Sequence, residues 1–183
     1  MQKNKCLIIS GMHRSGTSLF SSYLQKCGLN IGESLIEPYI DNKKGYFEDI
    51  DFVSLNIKIL AKNKTNMFLP KSIKINKKNT KEALKLLERK SKSKLWGWKD
   101  PRNTILLDFY KSINPSANHI FIFRHPYNVI DSLIRRGTDY NIRKNPFISA
   151  KSWILYNKKI IKFFYKKQLL NYFEELEKIK SKI

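Results

Sequence analysis

Residues 6–18 read Cys-Leu-Ile-Ile-Ser-Gly-Met-His-Arg-Ser-Gly-Thr-Ser, and the order of types within them decides the fold class. Cys6 to Ile9 is a short bulky run of the kind a buried strand uses. Gly11 and Gly16 bound the turn that follows, and Leu19-Phe20-Ser21-Ser22-Tyr23-Leu24 continues with residues a helix accepts. A strand, a glycine-bounded turn and a helix start aim several backbone N–H groups at one point, where the helix dipole adds partial positive charge. The stretch therefore predicts an anion cradle at the end of the first strand.

The two glycines are spaced as in the phosphate-binding frame G-x-x-x-x-G-K-[ST], but Thr17 stands at the lysine position. The cation has moved to Arg14, inside the turn. A nucleoside triphosphatase needs that lysine on the β- and γ-phosphates. The loop thus points to an anion other than ATP. Ser15, Thr17 and Ser18 also suit plain helix capping, a reading that needs no ligand.

Two later stretches carry charge to strand ends. Leu95-Trp-Gly-Trp98-Lys99-Asp100-Pro101-Arg102 predicts a buried strand delivering Lys99 and Asp100 to its C-terminal edge, where open α/β sheets bind ligands. Lys99 also reads as an ordinary strand-end charge, and Arg102 as a solvated or helix-capping side chain. Ile120 to Phe123 predicts a central strand ended by Arg124, with Pro126 where a helix takes its first residue. Metal-dependent P-loop enzymes often end this strand in an Asp that helps hold Mg²⁺. A guanidinium there binds an anion directly, in fork geometry.

These stretches resemble the sulfotransferase family whose donor is 3′-phosphoadenylyl sulfate (PAPS). Arg14-Ser15-Gly16-Thr17-Ser18 is similar to the family's 5′-phosphosulfate loop, a Lys or Arg followed by Ser/Thr-Gly-Thr-Ser/Thr. Arg124, with Ser132 eight residues on, resembles its 3′-phosphate site, although His125 replaces the more usual Asp or Asn. Lys99 before Asp100-Pro101 looks like the lysine that lies near the transferring group. Gly45-Tyr46-Phe47-Glu48 looks like an acceptor-facing turn, and Trp153, Tyr156 and Asn157 like a helix of the bacterial members. The likeness covers residues 5–157 and leaves 158–183 as a basic helical tail. Family members usually continue instead into another strand, and many into a basic, glycine-containing segment that closes over the donor's 3′-phosphate.

The resemblance implies a P-loop NTPase-like sulfotransferase fold: three layers, α/β/α, around a mostly parallel sheet. It implies donor contacts from Arg14, Ser15, Gly16, Thr17, Ser18, Arg124 and Ser132, charge stabilisation by Arg14 and Lys99, and no metal requirement. The candidates for the base that takes the acceptor hydroxyl's proton are Glu48, Asp49 and Asp100, with Glu48 preferred and Asp100 the runner-up. From the sequence alone, Glu48 suits equally well the start of a helix, as an acid complementing its dipole. His13 and His125 read as loop histidines.

Elsewhere, helices are predicted over 19–28, 51–61, 81–92 and 103–111, after Pro126, and from about Pro146 to the end. Strands are predicted near 6–10, 95–99 and 119–124, with at least one more that the pattern does not place. Residues 29–47 form a long connection rich in turn formers, a length that usually signals function. Residues 62–80 read as a mobile, lysine- and asparagine-rich surface segment.

At 183 residues with 42% hydrophobic content, the chain suits one domain with a real core, spanning 1–183. No apolar run approaches the ~18–20 residues of a membrane span. The opening MQKNKCLIIS lacks the apolar core of a signal peptide, and Cys6 and Cys27 lack metal-ligand spacing. Both point to a cytoplasmic protein with free thiols. The formal charge of +21 is mostly scattered lysine and favours anionic partners without choosing among nucleic acid, membrane surface, bis-phosphorylated nucleotide or acidic glycan. No specific nucleic-acid module is visible. The expected partners are a nucleotide donor and a hydroxyl acceptor, a glycan or small molecule. A P-loop kinase is the rival enzyme, against which Thr17 and Arg124 argue. A basic nucleic-acid or membrane-surface binder acting through its tail is the rival from another class.

Overall fold

The computed structural model describes residues 4–40, 42–137 and 139–180, with side chains of the last helix described as far as Lys166. Strands β1 (Lys5–Gly11), β2 (Leu95–Lys99) and β3 (Asn118–Ile122) form a parallel sheet in the order β2-β1-β3. The helices are α1 (Thr17–Lys26), α2 (Ile50–Lys62), α3 (Lys77–Lys90), α4 (Leu107–Ile113), α5 (Pro126–Arg136), α6 (Tyr140–Lys144) and α7 (Phe147–Lys180). A 3₁₀ turn, Pro101–Thr104, joins β2 to α4.

Side chains of a strand alternate between faces, and here each face meets helices. On one face Cys6, Ile8, Trp96 and Trp98 pack with Phe52, Leu55 and Ile59 of α2, Leu86 and Leu87 of α3, and Phe109 and Tyr110 of α4. The Trp98 ring lies flat on Phe52, centroids 3.9 Å apart and planes 1° from parallel. Phe163 of α7 covers His119 and Phe121 of β3. On the other face Ile9 and Leu7 meet Leu24 of α1, Leu29, Ile31, Ile120 and Ile122. The chain is an α/β domain with helices on both sides of its sheet.

Close approach explains one glycine: a Cβ at Gly97 would lie 2.0 Å from the Leu7 carbonyl oxygen of β1. The unplaced extra strand is not found among the described residues, where the sheet has three. Its place beside β2 holds a single bridge. Asn30 N–H donates to Leu95 O, and Gly97 N–H to Asn30 O. Gly32, at φ 118°, and the Asn30 side chain, which accepts from Gly32 N–H, then turn the chain away.

Residues 62–80 are less superficial than their lysines suggest. Phe68 is buried, and Met67, Ile73 and Ile75 pack against the core. The helix expected over 103–111 is split, because Asp100 caps a 3₁₀ turn before α4 begins. The tail continues α7 as one 34-residue helix. Its face at Phe163 is buried while Ile161, Phe164 and Tyr165 are exposed. The membrane-surface reading of the tail falls largely on side chains beyond Lys166, outside the described residues. Cys6 is a buried free thiol and Cys27 an exposed one.

Replacing a buried aromatic ring leaves a cavity and costs ~3–5 kcal/mol, whereas exposed sites usually shift stability by less than ~0.5 kcal/mol. Trp98→Ala should therefore lower the urea midpoint strongly. Ile57→Ala, on the exposed side of α2, should barely move it. Comparable shifts in the two variants would contradict the packing described.

Candidate active site at the C-terminal edge of the sheet

The first loop is shaped by steric limits. A Cβ at Gly11 would meet Ile122 O at 2.6 Å and Thr17 Cγ2 at 2.9 Å, so the chain turns hard against β3 as it leaves β1. Gly11 N–H donates to Thr104 Oγ1 at 3.0 Å, and Ser15 N–H to Met12 O at 3.2 Å. Arg14 and Gly16 both take left-handed backbone, φ 65° and 93°. Helix α1 then starts at Thr17 with Gly16 as N-cap and no side-chain hydrogen bond to the cap. The capping role open to Ser15, Thr17 and Ser18 is thus not what the structure uses, and the helix start faces a cavity of about 320 Å³.

Around that cavity the predicted residues gather from distant parts of the chain. Arg14, Gly16, Thr17 and Ser18 line it with Glu48, Lys99 and Arg124. Ser15 is buried within the loop. Arg14 Nε donates to Ser132 Oγ at 2.9 Å, and Arg124 Nη1 donates to the Arg14 carbonyl at 3.1 Å. Trp153 Nε1 in turn donates to the Arg124 carbonyl at 3.1 Å, tying α7 to the site. Ser132 stands behind Arg14 and is not in the cavity wall.

On the opposite side Lys99 is almost wholly buried and donates to Glu48 Oε1 at 2.6 Å and to Ser18 Oγ at 3.2 Å. Arg102 Nη1 lies 3.7 Å from Glu48 Oε2. Burial pushes the Glu48 carboxyl above its ordinary value, while the Lys99 ammonium pulls it back. The helix-start role that the sequence left open for Glu48 falls to its neighbour. Asp49 caps α2, accepting from Asp51 N–H at 2.9 Å, and Glu48 turns inward to Lys99.

Asp100 is brought next to this group but not into the cavity. It is fully buried, and its oxygens accept from Arg102 Nη1 at 2.6 Å and Asn56 Nδ2 at 2.8 Å. Asn56 accepts from the Tyr110 hydroxyl, so α2 and α4 are both fastened to this carboxylate. Alternation along β2 explains the split, since Lys99 and Asp100 leave the strand on opposite faces.

Sequence reasoning missed three cavity residues. Arg102, read as solvated or capping, is folded back on Asp100. Arg136, at the end of α5, lines the cavity, unlike Arg135, which pairs with Asp131. It lies four residues beyond Ser132, one turn along the same helix face, and that spacing was the available signal. His13, set aside as a loop histidine, packs between Phe68 and Tyr156 with ring centroids 5.6 and 6.0 Å away. Among the described residues no three His, Cys, Asp or Glu side chains converge as metal ligands do.

No family model matches the chain, and no curated protein matches it. The site therefore rests on its own geometry.

Removing one member of a buried ion pair leaves a desolvated charge and costs ~3–5 kcal/mol, while removing both members is often close to neutral. Glu48→Gln should destabilise the fold on that scale. Combining it with Lys99→Met should restore most of the loss, read as a double-mutant cycle in urea. Strictly additive effects would mean that the two groups are not coupled.

Proposed function

We propose that this chain is a sulfotransferase, moving the sulfuryl group of PAPS to a hydroxyl of a glycan or other small acceptor on a P-loop-like sulfotransferase fold. The observation that carries the reading is the uncapped start of α1, facing a cavity ringed by Arg14, Lys99 and Arg124. A donor with anionic groups at both its 5′ and 3′ ends suits that distribution. The amides at Gly16 to Ser18 would hold the 5′-phosphosulfate, and Arg124 would serve the 3′-phosphate, while Ser132, expected there from the sequence, instead holds Arg14 from behind the cavity wall.

In the reaction the acceptor oxygen attacks sulfur in line. The bond from sulfur to the bridging oxygen breaks, and adenosine 3′,5′-bisphosphate leaves with the electron pair. Glu48 takes the hydroxyl proton, a task helped by a carboxyl held above its ordinary value. Lys99 reaches both Ser18 of the loop and Glu48, so its charge spans donor and base. As Glu48 becomes neutral, that ammonium is free to stabilise the departing phosphate oxygen. Asp100, outside the cavity wall, is assigned to holding Arg102 and the adjoining turn. We place the reaction in the cytoplasm, where the free thiols Cys6 and Cys27 would persist. Among the described residues, no helix is long and apolar enough to cross a membrane.

Adenosine 3′,5′-bisphosphate should bind at least tenfold tighter than adenosine 5′-monophosphate in calorimetry. A charge-assisted contact is worth ~1.5–3 kcal/mol, and about 1.4 kcal/mol is tenfold. Arg124→Ala should erase the difference, and equal affinities in the unmutated protein would remove the reading.

Sulfuryl transfer should also persist in EDTA, since Thr17 and Arg124 occupy positions where metal-dependent phosphotransferases use Lys and Asp. Phosphoryl transfer from ATP that stops with EDTA and returns with Mg²⁺ would favour a P-loop kinase instead.

A further inference from the structure

Helix α7 carries apolar residues on two faces, and the domain covers only one of them. Ser149, Ser152, Tyr156 and Phe163 are buried against the core. On the opposite side Phe147, Ile154, Ile161 and Tyr165 are 77%, 45%, 54% and 60% exposed. They follow one another at intervals of seven, seven and four residues, which places them on a single stripe of an α-helix. Lys151, Lys158 and Lys162, spaced by seven and four, run alongside them and are exposed too. One apolar side chain in water is ordinary, whereas a continuous stripe marks a contact surface.

Charge decides what can cover the stripe. From Tyr140 to Lys166 the sequence has seven Lys and Arg and no Asp or Glu. A second copy laid along the same stripe would bring one row of lysines against another, and a net charge of +21 adds to that repulsion. Nucleic acid would meet the lysines, but Ile154 and Ile161 offer no ring on which a base could stack. An anionic bilayer meets both halves of the face, its acyl boundary taking the apolar stripe and its headgroups the lysines. No described helix is long and apolar enough to cross a membrane, so α7 would lie along the surface.

A second feature favours the same occupant. Between α7 and α4 lies a groove of about 200 Å³, lined by Lys159, Lys162, Lys166, Asp108 and Phe163 among others. None of its residues lines the proposed active cavity. The three lysines, three and four residues apart, share one helix face. Asp108, the acid of this groove, lies 3.5 Å from Lys166. The positive charge left over suits the phosphate of a lipid headgroup, and Lys162 joins the groove to the stripe.

We propose that the outer face of α7 is a docking surface for an anionic phospholipid bilayer. Phe147, Ile154, Ile161 and Tyr165 enter the boundary between headgroups and acyl chains, and Lys159, Lys162 and Lys166 hold headgroup phosphate. The proposal concerns where the protein sits and is independent of what its cavity binds.

The test is flotation of the full chain with phosphatidylcholine vesicles, with or without phosphatidylserine at about one lipid in three. The protein should float with the mixed vesicles and bind pure phosphatidylcholine at least tenfold more weakly. Ile154→Ser combined with Ile161→Ser should cut binding to the mixed vesicles at least tenfold and leave the urea midpoint unchanged, since both sites are exposed. Lys158→Glu with Lys162→Glu should do the same, and serves if the serine variant does not fold. Lys81→Glu with Lys85→Glu, on the exposed side of α3, makes the same change of charge elsewhere and should leave binding within about twofold. An equal loss in the α3 variant would overturn the proposal, because net charge alone would then hold the protein to lipid. Unchanged flotation of the serine variant would also overturn it, as would a lipid-free dimer that this variant dissociates. Tighter binding to a single-stranded oligonucleotide, weakened by the same two serines, would assign the face to nucleic acid instead.

Discussion

A lysine ammonium with 1% of its surface exposed is the constraint around which this molecule is arranged. Taking such a charge out of water costs several kcal/mol and is tolerated only beside a close counter-charge. Glu48 supplies it at 2.6 Å and is itself buried as a result. The pair locks together three segments far apart in sequence: the end of β2, the turn before α2 and, through Ser18, the start of α1. One residue past the end of β2, Asp100 repeats the arrangement on the other face with Arg102, Asn56 and, through Asn56, Tyr110. Two adjacent residues at one strand end thereby organise both sides of the sheet edge.

The other half of the cavity is held by hydrogen bonds that pass through the backbone. Arg124 grips the carbonyl of Arg14, whose side chain reaches Ser132, and Trp153 grips the carbonyl of Arg124. Arg14, in left-handed backbone, gives its carbonyl to Arg124 and its side chain to Ser132 of α5. The loop is thus positioned by α5 and α7, and the long last helix is part of the site as well as of the core.

Much of this was legible in the sequence because it depends on local pattern. Three bulky runs ending in Gly or charge marked the three strands to within about two residues, and the glycine spacing of the loop marked the turn into α1. What stayed hidden depends on where a side chain goes after the chain has folded. Glu48 and Asp49 are adjacent acids before a helix, and only the tertiary position of Lys99 decides which one caps and which one pairs. Arg102 and Arg136 are drawn inward by groups distant in sequence, Glu48 for the one and the surroundings of His13 for the other. Residues 62–80 misled through composition: their lysines point out, while Phe68 and Ile73 between them reach the core.

The order of the strands has a consequence for how the molecule comes into being. β1 is central, yet its neighbours are encoded far downstream: Lys5 pairs with Leu95 and Leu7 with Asn118. During synthesis the first strand and its loop therefore emerge long before anything exists for them to pair with. Helices α2 and α3 can form in the meantime from local contacts, but the sheet closes only after Ile122 has left the ribosome. The apolar run Cys6 to Ile9 must wait as an unpaired edge on both sides. Sequence changes that speed helix formation would do little for the folding rate, whereas anything that sequesters that first strand until the third arrives should raise the yield of native protein.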